Sequence, residues 1–314
     1  MPRRLAGTSN RATDANGARL PSANTWRPRR SSAPVRPSDV ADAASPRLRS
    51  TSPSLACSRH SRQLGETNMK IGIIGAGNIG ATLAQKFSSN GHSIKLASTR
   101  PPDELRQLAQ KVGAEPVTPA EAVKDVDVVV LSIPFKNNPE LAGLFADVPA
   151  DVVVIDTSNY YPVRDGNIAE VDDGKPESVW SSAQFGRPVV KTFNAILAGV
   201  LADGGKPRGA ADRIAVPVAG DDAAAKAIAQ TLVDETGFEP VDAGSLADSW
   251  RQQPGTPAYC TSLTAHDLRK ALAAADKPRA PRNLQALMDR LGAYPAFPST
   301  DEMTALNREL NRGS

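Results

Sequence analysis

Apolar residues recur along the chain in short continuous runs that alternate with longer amphipathic stretches, from about residue 69 onward. The short runs predict strands at 70–74, 94–97, 127–133, 152–156, 189–193 and 213–218, with a very short strand at 117. The amphipathic stretches predict helices at about 78–89, 101–112, 119–123, 221–236 and 264–274. Strands and helices that alternate at this spacing predict an α/β fold with a doubly wound, mainly parallel sheet.

The C-terminal part adds a smaller α/β extension to this sheet. A further strand is predicted after Phe238, followed by a loop with Trp250 and two prolines. Helical patterns at 283–291 and 300–310 predict short surface or partner-facing helices. We therefore predict four parts, namely a disordered head at 1–68, a nucleotide-binding domain at 69–195, an acceptor or dimerisation region at 196–275 and a helical tail at 276–314.

The head differs from the rest of the chain in composition and charge. It holds twelve arginines against four acidic residues, is rich in Ser, Pro and Ala, and shows neither helical nor strand periodicity. Such a segment buries too little apolar surface to offset its chain entropy, so it is predicted to be disordered. It resembles a transit peptide or a basic arm for a polyanion. We favour a third explanation, that translation starts at Met69, one residue before the first strand.

Charge and residue usage narrow the class of protein. Beyond the head, 25 basic residues stand against 30 acidic ones, so no basic surface for nucleic acid is expected. The sequence has no apolar run of membrane-spanning length and no apolar leader core. Its two cysteines and three histidines lie at no metal-ligand or disulfide spacing. We expect a cytoplasmic protein without a metal site.

A glycine-rich turn follows the first predicted strand. The sequence Gly75-Ala76-Gly77-Asn78-Ile79-Gly80 stands directly after strand 70–74 and opens the first helix. In this context Gly75 permits a tight turn, Gly77 lets a pyrophosphate approach the backbone, and Gly80 allows close packing of helix and strand. The helix N-terminus then offers unpaired N–H groups to the phosphates. The motif predicts a dinucleotide-binding (Rossmann) domain.

The end of the second strand predicts the choice of dinucleotide. NAD enzymes place an acidic residue about 20 residues after the glycines, where it binds the ribose hydroxyls. This chain has Ser98-Thr99-Arg100 there. An arginine and two hydroxyls pair with a 2′-phosphate, whereas an acid would repel it. The sequence therefore favours NADP(H) over NAD.

Three further strand ends form the predicted reaction site, because ligands gather at the carboxyl ends of parallel strands. Ser132-Ile133-Pro134 forms the carboxyl edge of the strand predicted at 127–133 and would lie beside the nicotinamide ribose. Asn159 and Tyr160 follow the fifth strand, and Asn194 follows the strand at 189–193. We predict Asn159, Tyr160 and Asn194 as the catalytic residues.

These segments together resemble the NADP oxidoreductases of the coenzyme F420-dependent type. The resemblance rests on KIGIIGAGNIGATLA at 70–84, Ser98-Thr99-Arg100, Ser132-Ile133-Pro134 and VKTFNAI at 190–196, and it covers about 69–244. The family includes NADPH:deazaflavin oxidoreductases and the cytosolic domains of membrane ferric reductases, and its first domain is similar to that of pyrroline-5-carboxylate reductases.

The resemblance implies which residues line the cofactor. The implied NADP(H)-binding residues are Gly75, Gly77, Asn78, Ile79, Gly80, Ser98, Thr99, Arg100, Ser132, Ile133 and Pro134. Phe193 and Asn194 are implied to lie near the nicotinamide. The segments 158–166 and 250–260 depart from any deazaflavin-binding pattern, which leaves the acceptor open.

The residues offer no convincing proton donor at the predicted site. His92 stands at the wrong end of its strand, His266 lies in a C-terminal helix, and Lys191 lies inside a strand whose face is not fixed by the sequence. Hydride transfer from NADPH to a flavin or deazaflavin needs no protein acid, because the two cofactor rings carry the reaction. We therefore expect an NADP(H)-dependent oxidoreductase with a flavin-like or other small acceptor.

Two alternatives stay open. The protein could be an imine or keto-acid reductase of the pyrroline-carboxylate or hydroxyisobutyrate type, which moves a proton with a group such as Lys191 or Tyr160. It could instead be a non-catalytic NADP(H)-sensing protein. The expected partners are a small-molecule acceptor and a second copy in a homodimer, with neither nucleic acid nor membrane.

Overall fold

Strand β1 (Lys70–Ile74) lies in the middle of a six-stranded sheet, and its apolar side chains are buried on both faces. The other strands of this sheet are β2 (Ser93–Ala97), β3 (Glu115–Pro116), β4 (Val128–Leu131), β5 (Val153–Asp156) and β6 (Val190–Lys191). Their order is β3-β2-β1-β4-β5-β6, and every pair is parallel. The order reverses between β1 and β4, which is where doubly wound sheets bind ligands.

The structure is a computed structural model that describes residues 68–311. The predictions made for the head therefore lie outside the described residues. The described residues all fall in one unit, and the domain boundaries at 195 and 275 stay predictions. No helix in the described part of the chain has the length and apolar character needed to cross a membrane.

Helices connect the strands on both faces of the sheet. They are α1 (Asn78–Ser89), α2 (Pro102–Lys111), α3 (Pro119–Ala122), α4 (Pro162–Asp165), α5 (Ala169–Asp172), α6 (Glu177–Phe185), α7 (Ala198–Asp203), α8 (Ala223–Glu235), α9 (Ala265–Ala273), α10 (Ala280–Gly292) and α11 (Thr300–Leu310). Short 3-10 segments cover Phe135–Phe145 and Leu246–Gln252. Local sequence fixes several helix starts. At α3, for example, Thr118 and Glu121 form the predicted capping box.

A second, two-stranded sheet extends the first. Strands β7 (Ala215–Val218) and β8 (Glu239–Asp242) are parallel to each other. An antiparallel bridge joins β6 to the residue after β7, with Lys191 and Ala219 exchanging backbone hydrogen bonds of 2.8 and 3.0 Å. The predicted fold class, a doubly wound α/β sheet with a small C-terminal extension, is confirmed.

The strand predicted at 189–193 is shorter in the structure. Only Val190 and Lys191 pair with β5, and Phe193 has a positive φ of 58°. Left-handed backbone does not continue a strand, and it is unfavourable for a bulky residue. The very short strand predicted at 117 lies at Glu115–Pro116 instead.

The last two helices, α10 and α11, pack against each other and bury one face. Leu287 of α10, together with Met303 and Leu306 of α11, is buried in one apolar cluster with Tyr259. A Cβ on Gly255 would lie 2.1 Å from the carbonyl oxygen of Ala280, so the two backbones are in close contact. Each helix therefore buries one face against other residues of this chain, while its opposite face stays exposed, as expected of a surface helix. Whether the exposed faces meet a partner stays a prediction.

Candidate active site

The glycine turn after β1 brings the ends of β1, β2 and β4 together. Gly75 has a φ of +117° and its backbone N–H donates to the carbonyl of Ala97 at 2.8 Å. A Cβ at Gly75 would lie 2.0 Å from the Ser132 carbonyl oxygen, and one at Gly80 would lie 1.9 Å from the Gly75 carbonyl oxygen. Both positions therefore exclude any side chain, as the motif predicts.

Gly77 occupies a different environment within the same turn. A Cβ added there would meet no atom within 4 Å, so this backbone faces open space. Gly77 is also the N-cap of the twelve-residue helix α1, with no capping side chain and no acidic residue in the first turn. The positive end of α1 thus faces the open space beside Gly77, and these residues fit a dinucleotide pyrophosphate.

The end of β2 presents the predicted phosphate-binding residues to solvent. Thr99 and Arg100 are exposed, and Ser98 is half-buried. The Arg100 backbone N–H donates to Ser98 Oγ at 3.0 Å, which fixes the turn. Arg100 forms no ion pair with any residue between 68 and 311. Its guanidinium is therefore available to an anion.

The end of β4 lies beside the glycine turn. The Ser132 backbone N–H donates to the Ile74 carbonyl at 2.8 Å, and Ser132, Ile133 and Pro134 are each half-buried. Pro134 then starts the 3-10 segment 135–145. The predicted cofactor-binding residues of the first, second and fourth strands thus share one edge of the sheet.

Asn159 and Asn194 are brought together at the ends of β5 and β6. Asn194 Nδ2 donates to Asn159 Oδ1 at 3.0 Å, and Asn159 Nδ2 donates to the Asn194 carbonyl at 2.9 Å. Gln252 closes the network, since its Nε2 donates to Asn194 Oδ1 at 2.9 Å and its carbonyl accepts from Asn194 Nδ2 at 2.8 Å. The three side chains are buried, so the network fixes both strand ends.

Sequence reasoning missed Gln252 as part of this network. The residue is buried, and its Oε1 has no hydrogen-bond partner among the described residues. Its partners Lys191 and Asn194 lie 61 and 58 residues away along the chain. No local pattern marks such a residue, and only the packing of the 3-10 segment 246–252 against β6 places it.

Tyr160 does not join the asparagine network. Its ring packs against Phe135 at 5.6 Å between centroids, and its hydroxyl donates to the Gly166 carbonyl and to Asp172. Burial raises the pKa of Tyr160 to about 12, and the hydrogen bond to Asp172 acts in the same direction. A phenol bound in this way is a poor proton donor near neutral pH.

Phe193 is buried on the face of the sheet that packs against α1. Its ring is 1% exposed and meets the ring of Phe87 edge-on at 6.3 Å. The ring is thus part of the apolar core. Only the backbone of Phe193 lies at the strand end, where the nicotinamide was predicted. Ile79 is similarly buried and would reach a phosphate through its backbone N–H.

A buried charged cluster lies next to the asparagine network. Lys191 is fully buried, with Nζ 3.4 Å from Asp156 Oδ2, 3.7 Å from Glu177 Oε2 and hydrogen-bonded to the Ser158 carbonyl. The sequence left the face of Lys191 open. The structure shows that its side chain is fully buried and that groups of this chain surround its Nζ.

Helix α6 is attached to the end of β5 by polar groups. Ser178 Oγ donates to Asp156 Oδ2 at 3.0 Å, and Ser158 Oγ donates to Asp156 Oδ1 at 2.6 Å. The 3-10 segment 135–145 is attached to the same helix, because Asn138 Nδ2 donates to Ser181 Oγ at 2.8 Å. Because hydrogen bonds are directional, this buried contact fixes α6 and β5 more specifically than an apolar contact would.

The two histidines between residues 68 and 311 lie outside the site. His92 accepts from the Met69 backbone N–H through Nδ1 and contacts Glu235 through Nε2 at 2.7 Å, so it ties together elements near the start of β1. His266 is exposed on α9. Neither residue reaches the carboxyl ends of the strands.

Comparison with known proteins agrees with this geometry. Residues 70–160 match the family described as NADP oxidoreductase, coenzyme F420-dependent. The chain is 41% identical over 105 residues to the protein YjhV of Escherichia coli, a match that covers 33% of this chain and 77% of YjhV.

Two other proteins show similarity over longer stretches. Metalloreductase STEAP3 of Rattus norvegicus is 28% identical over 184 residues, which cover 57% of this chain and 35% of STEAP3. A crystal structure of a hypothetical protein, SMa0349, from Sinorhizobium meliloti superposes with a TM-score of 0.52 at 29% identity. That match covers 62% of this chain and 93% of the other.

Proposed function

Because the chain belongs to the family of NADP oxidoreductases of the coenzyme F420-dependent type, we propose that it transfers a hydride between NADPH and a flavin-like or other small acceptor. When bound, NADPH supplies the hydride and the acceptor receives it. The residues of this chain bind the dinucleotide, orient it and hold the strand ends beside it.

The proposal depends on one arrangement, the anion-binding groups at the ends of β1 and β2. The open backbone at Gly77 and the helix N-terminus behind it lie at the switch point of the sheet. At the end of β2, Arg100 forms no ion pair with the residues that the structure describes. The first two features fit a pyrophosphate, and Arg100 fits a 2′-phosphate. Together they favour NADP(H) over NAD.

The groups beside the predicted nicotinamide position favour transfer without a protein acid. The side chains there are the amides of Asn159 and Asn194, which neither gain nor lose protons near neutral pH. Tyr160 is held by Asp172, and the Lys191 ammonium is buried against two carboxylates. These contacts favour direct passage of a hydride to the acceptor over the imine or keto-acid alternative.

A stopped-flow screen of NADPH oxidation tests the proposal. The acceptors are FMN, a deazaflavin, a ferric chelate, a quinone and a cyclic imine, each measured with wild-type protein and with Arg100→Ala. Oxidation by a flavin-like, ferric or quinone acceptor supports the proposal, and a higher KM for NADPH in the variant links the activity to this site.

Two outcomes would overturn it. Oxidation by the cyclic imine alone would assign the protein to the imine reductases. Tight NADPH binding with no oxidation by any of the five acceptors would identify a non-catalytic NADP(H)-binding protein.

A further inference from the structure

Lys191 connects the buried charged cluster with both halves of the asparagine network. Its ammonium donates to the carbonyl of Ser158, the residue directly before Asn159. Its own carbonyl accepts from Gln252 Nε2 at 3.2 Å, and the same Nε2 donates to Asn194 Oδ1. The position of Lys191 is therefore coupled to both asparagines.

The cluster itself is unbalanced in charge. One ammonium faces two carboxylates, Asp156 at 3.4 Å and Glu177 at 3.7 Å, and all three side chains are buried. Glu177 Oε2 has no hydrogen-bond partner among the described residues. A buried charge without a full set of partners is costly. The arrangement is neutral only when one of the carboxyl groups carries a proton.

The other charged groups around α6 have partners of their own. Asp165 of α4 adds repulsion at Glu177 but is paired with Arg164. On the remaining packed elements, Glu170 pairs with Lys175, Asp172 accepts from Tyr160, Lys136 lies beside Glu140, and Asp248 pairs with Arg251. Lys191 is thus the cation that faces Glu177 within the described cluster.

The charge of Glu177 changes near neutral pH. Burial raises the pKa of Glu177 to about 7, and Lys191 and the Tyr160 backbone N–H oppose this rise only in part. With Glu177 protonated, Lys191 is shared between Asp156 and the Ser158 carbonyl. With Glu177 ionised, its carboxylate competes for the same ammonium.

We propose that Glu177 is a positioning residue for the hydride-transfer site, because its protonation state decides whether Lys191 holds the Ser158 carbonyl and, through it, the Asn159–Asn194 pair. This inference rests on the proposed function for its consequence in catalysis. The protonated form of Glu177 keeps the pair in place, and the ionised form draws Lys191 away from Ser158.

The structural part of the proposal can be tested without any acceptor. The side-chain amide signals of Asn159 and Asn194 are followed by NMR in asparagine-labelled protein from pH 5.5 to 8.5, with and without NADPH, and assigned by single replacements. We expect both signals to shift with a midpoint near pH 7 in wild-type protein and to stay at their low-pH positions in Glu177→Gln.

Glu140→Gln is the matched control. Partial burial raises the pKa of Glu140 as well, but most of this side chain is exposed and it lies outside the cluster. We expect the wild-type titration in this variant. Signals that do not shift in wild-type protein, or that still titrate in Glu177→Gln, would overturn the proposal.

The catalytic part is measured with the acceptor that gives the highest rate in the stopped-flow screen. We expect kcat to fall about tenfold from pH 6 to pH 8 in wild-type protein, which is the ratio of the protonated fractions of a group that titrates near 7. In Glu177→Gln we expect kcat to be independent of pH over this range.

A screen without turnover refutes the proposed function alone, because the NMR titration still decides the positioning role. A kcat that falls equally in Glu177→Gln refutes the positioning role alone.

Discussion

Asn194 donates through Nδ2 to Oδ1 of Asn159 at 3.0 Å, which joins the ends of two adjacent strands across 35 residues of sequence. A second bond runs from Asn159 Nδ2 to the Asn194 backbone carbonyl. The pair therefore links side chain to side chain and side chain to backbone. It fixes the sheet edge where the nicotinamide is proposed to lie.

Replacing Asn194 with alanine should lower stability. The change leaves Asn159 Oδ1 and the Gln252 carbonyl buried without their donor. Unpaired buried groups cost about 1–3 kcal/mol each, so we expect a loss of about 2–6 kcal/mol in the free energy of unfolding. Urea denaturation measures it, and Asn167→Ala, at an exposed asparagine, is the control. Equal stabilities of the two variants would contradict the buried network.

Arg100→Ala should weaken NADPH binding selectively. The loss of a charged hydrogen bond to the 2′-phosphate costs about 1–3 kcal/mol, whereas NADH lacks this phosphate and should bind almost unchanged. Fluorescence titration with both dinucleotides measures the difference. Arg106→Ala, at another exposed arginine that pairs with Asp103, should leave both affinities intact. If NADPH and NADH weakened equally, the assignment of Arg100 to the 2′-phosphate would be wrong.

Alanine replacements in the glycine turn should separate folding from binding. Gly77→Ala introduces a methyl group into open space at a φ of −79°, so the protein should fold normally. The same methyl group occupies the proposed pyrophosphate position, and NADPH should bind roughly tenfold more weakly, a change of about 1.4 kcal/mol.

Gly75→Ala should destabilise the fold instead, because its Cβ would overlap the Ser132 carbonyl oxygen and its φ is +117°. Thermal unfolding and NADPH titration of both variants check this division. Gly143→Ala, which also faces open space, is the control for the binding effect. Unchanged NADPH affinity in Gly77→Ala would place the pyrophosphate elsewhere.

Glu177→Gln should change how stability depends on pH. The pKa of Glu177 is about 7 in the folded protein against an ordinary 4.5, so the folded state binds the proton more tightly than the unfolded chain. Proton binding by Glu177 therefore stabilises the folded protein fully below pH 4.5, and this stabilisation is lost as the pH rises through 7. Glutamine does not titrate.

The stability of the variant relative to wild-type protein should therefore rise by about 2–3 kcal/mol between pH 5 and pH 8. Urea denaturation at the two pH values measures this change. Glu140→Gln should show a much smaller change, since that side chain is exposed. A pH-independent difference between Glu177→Gln and wild-type protein would refute the raised pKa.

Elements with a strong local pattern agree closely with the sequence predictions. The strand at 70–74, the helix at 78–89, the capping box at Thr118 and the helix at 300–310 all lie where they were predicted. Apolar periodicity, glycine and capping residues act within a few residues of one another, so the sequence carries them directly. The glycine turn and its place after the first strand follow in the same way.

Contacts between segments that lie far apart in the chain could not be predicted from the sequence. Lys191 sits in a predicted strand, yet its partner Glu177 comes from a helix that no periodicity marked. The short extent of β6 depends on the left-handed backbone of Phe193, and the buried faces of α10 and α11 depend on Tyr259. Each of these features requires knowing which segments meet.

The sequence by itself determined the doubly wound sheet and the glycine turn, together with the arginine at the end of the second strand, because short-range sterics and strand order suffice for these. Tertiary structure alone decided that the two asparagines pair and that Gln252 joins them. It also decided that a lysine lies buried between two carboxylates beside them. The reason is physical, since the cost of burying polar groups is met only by partners brought from tens of residues away.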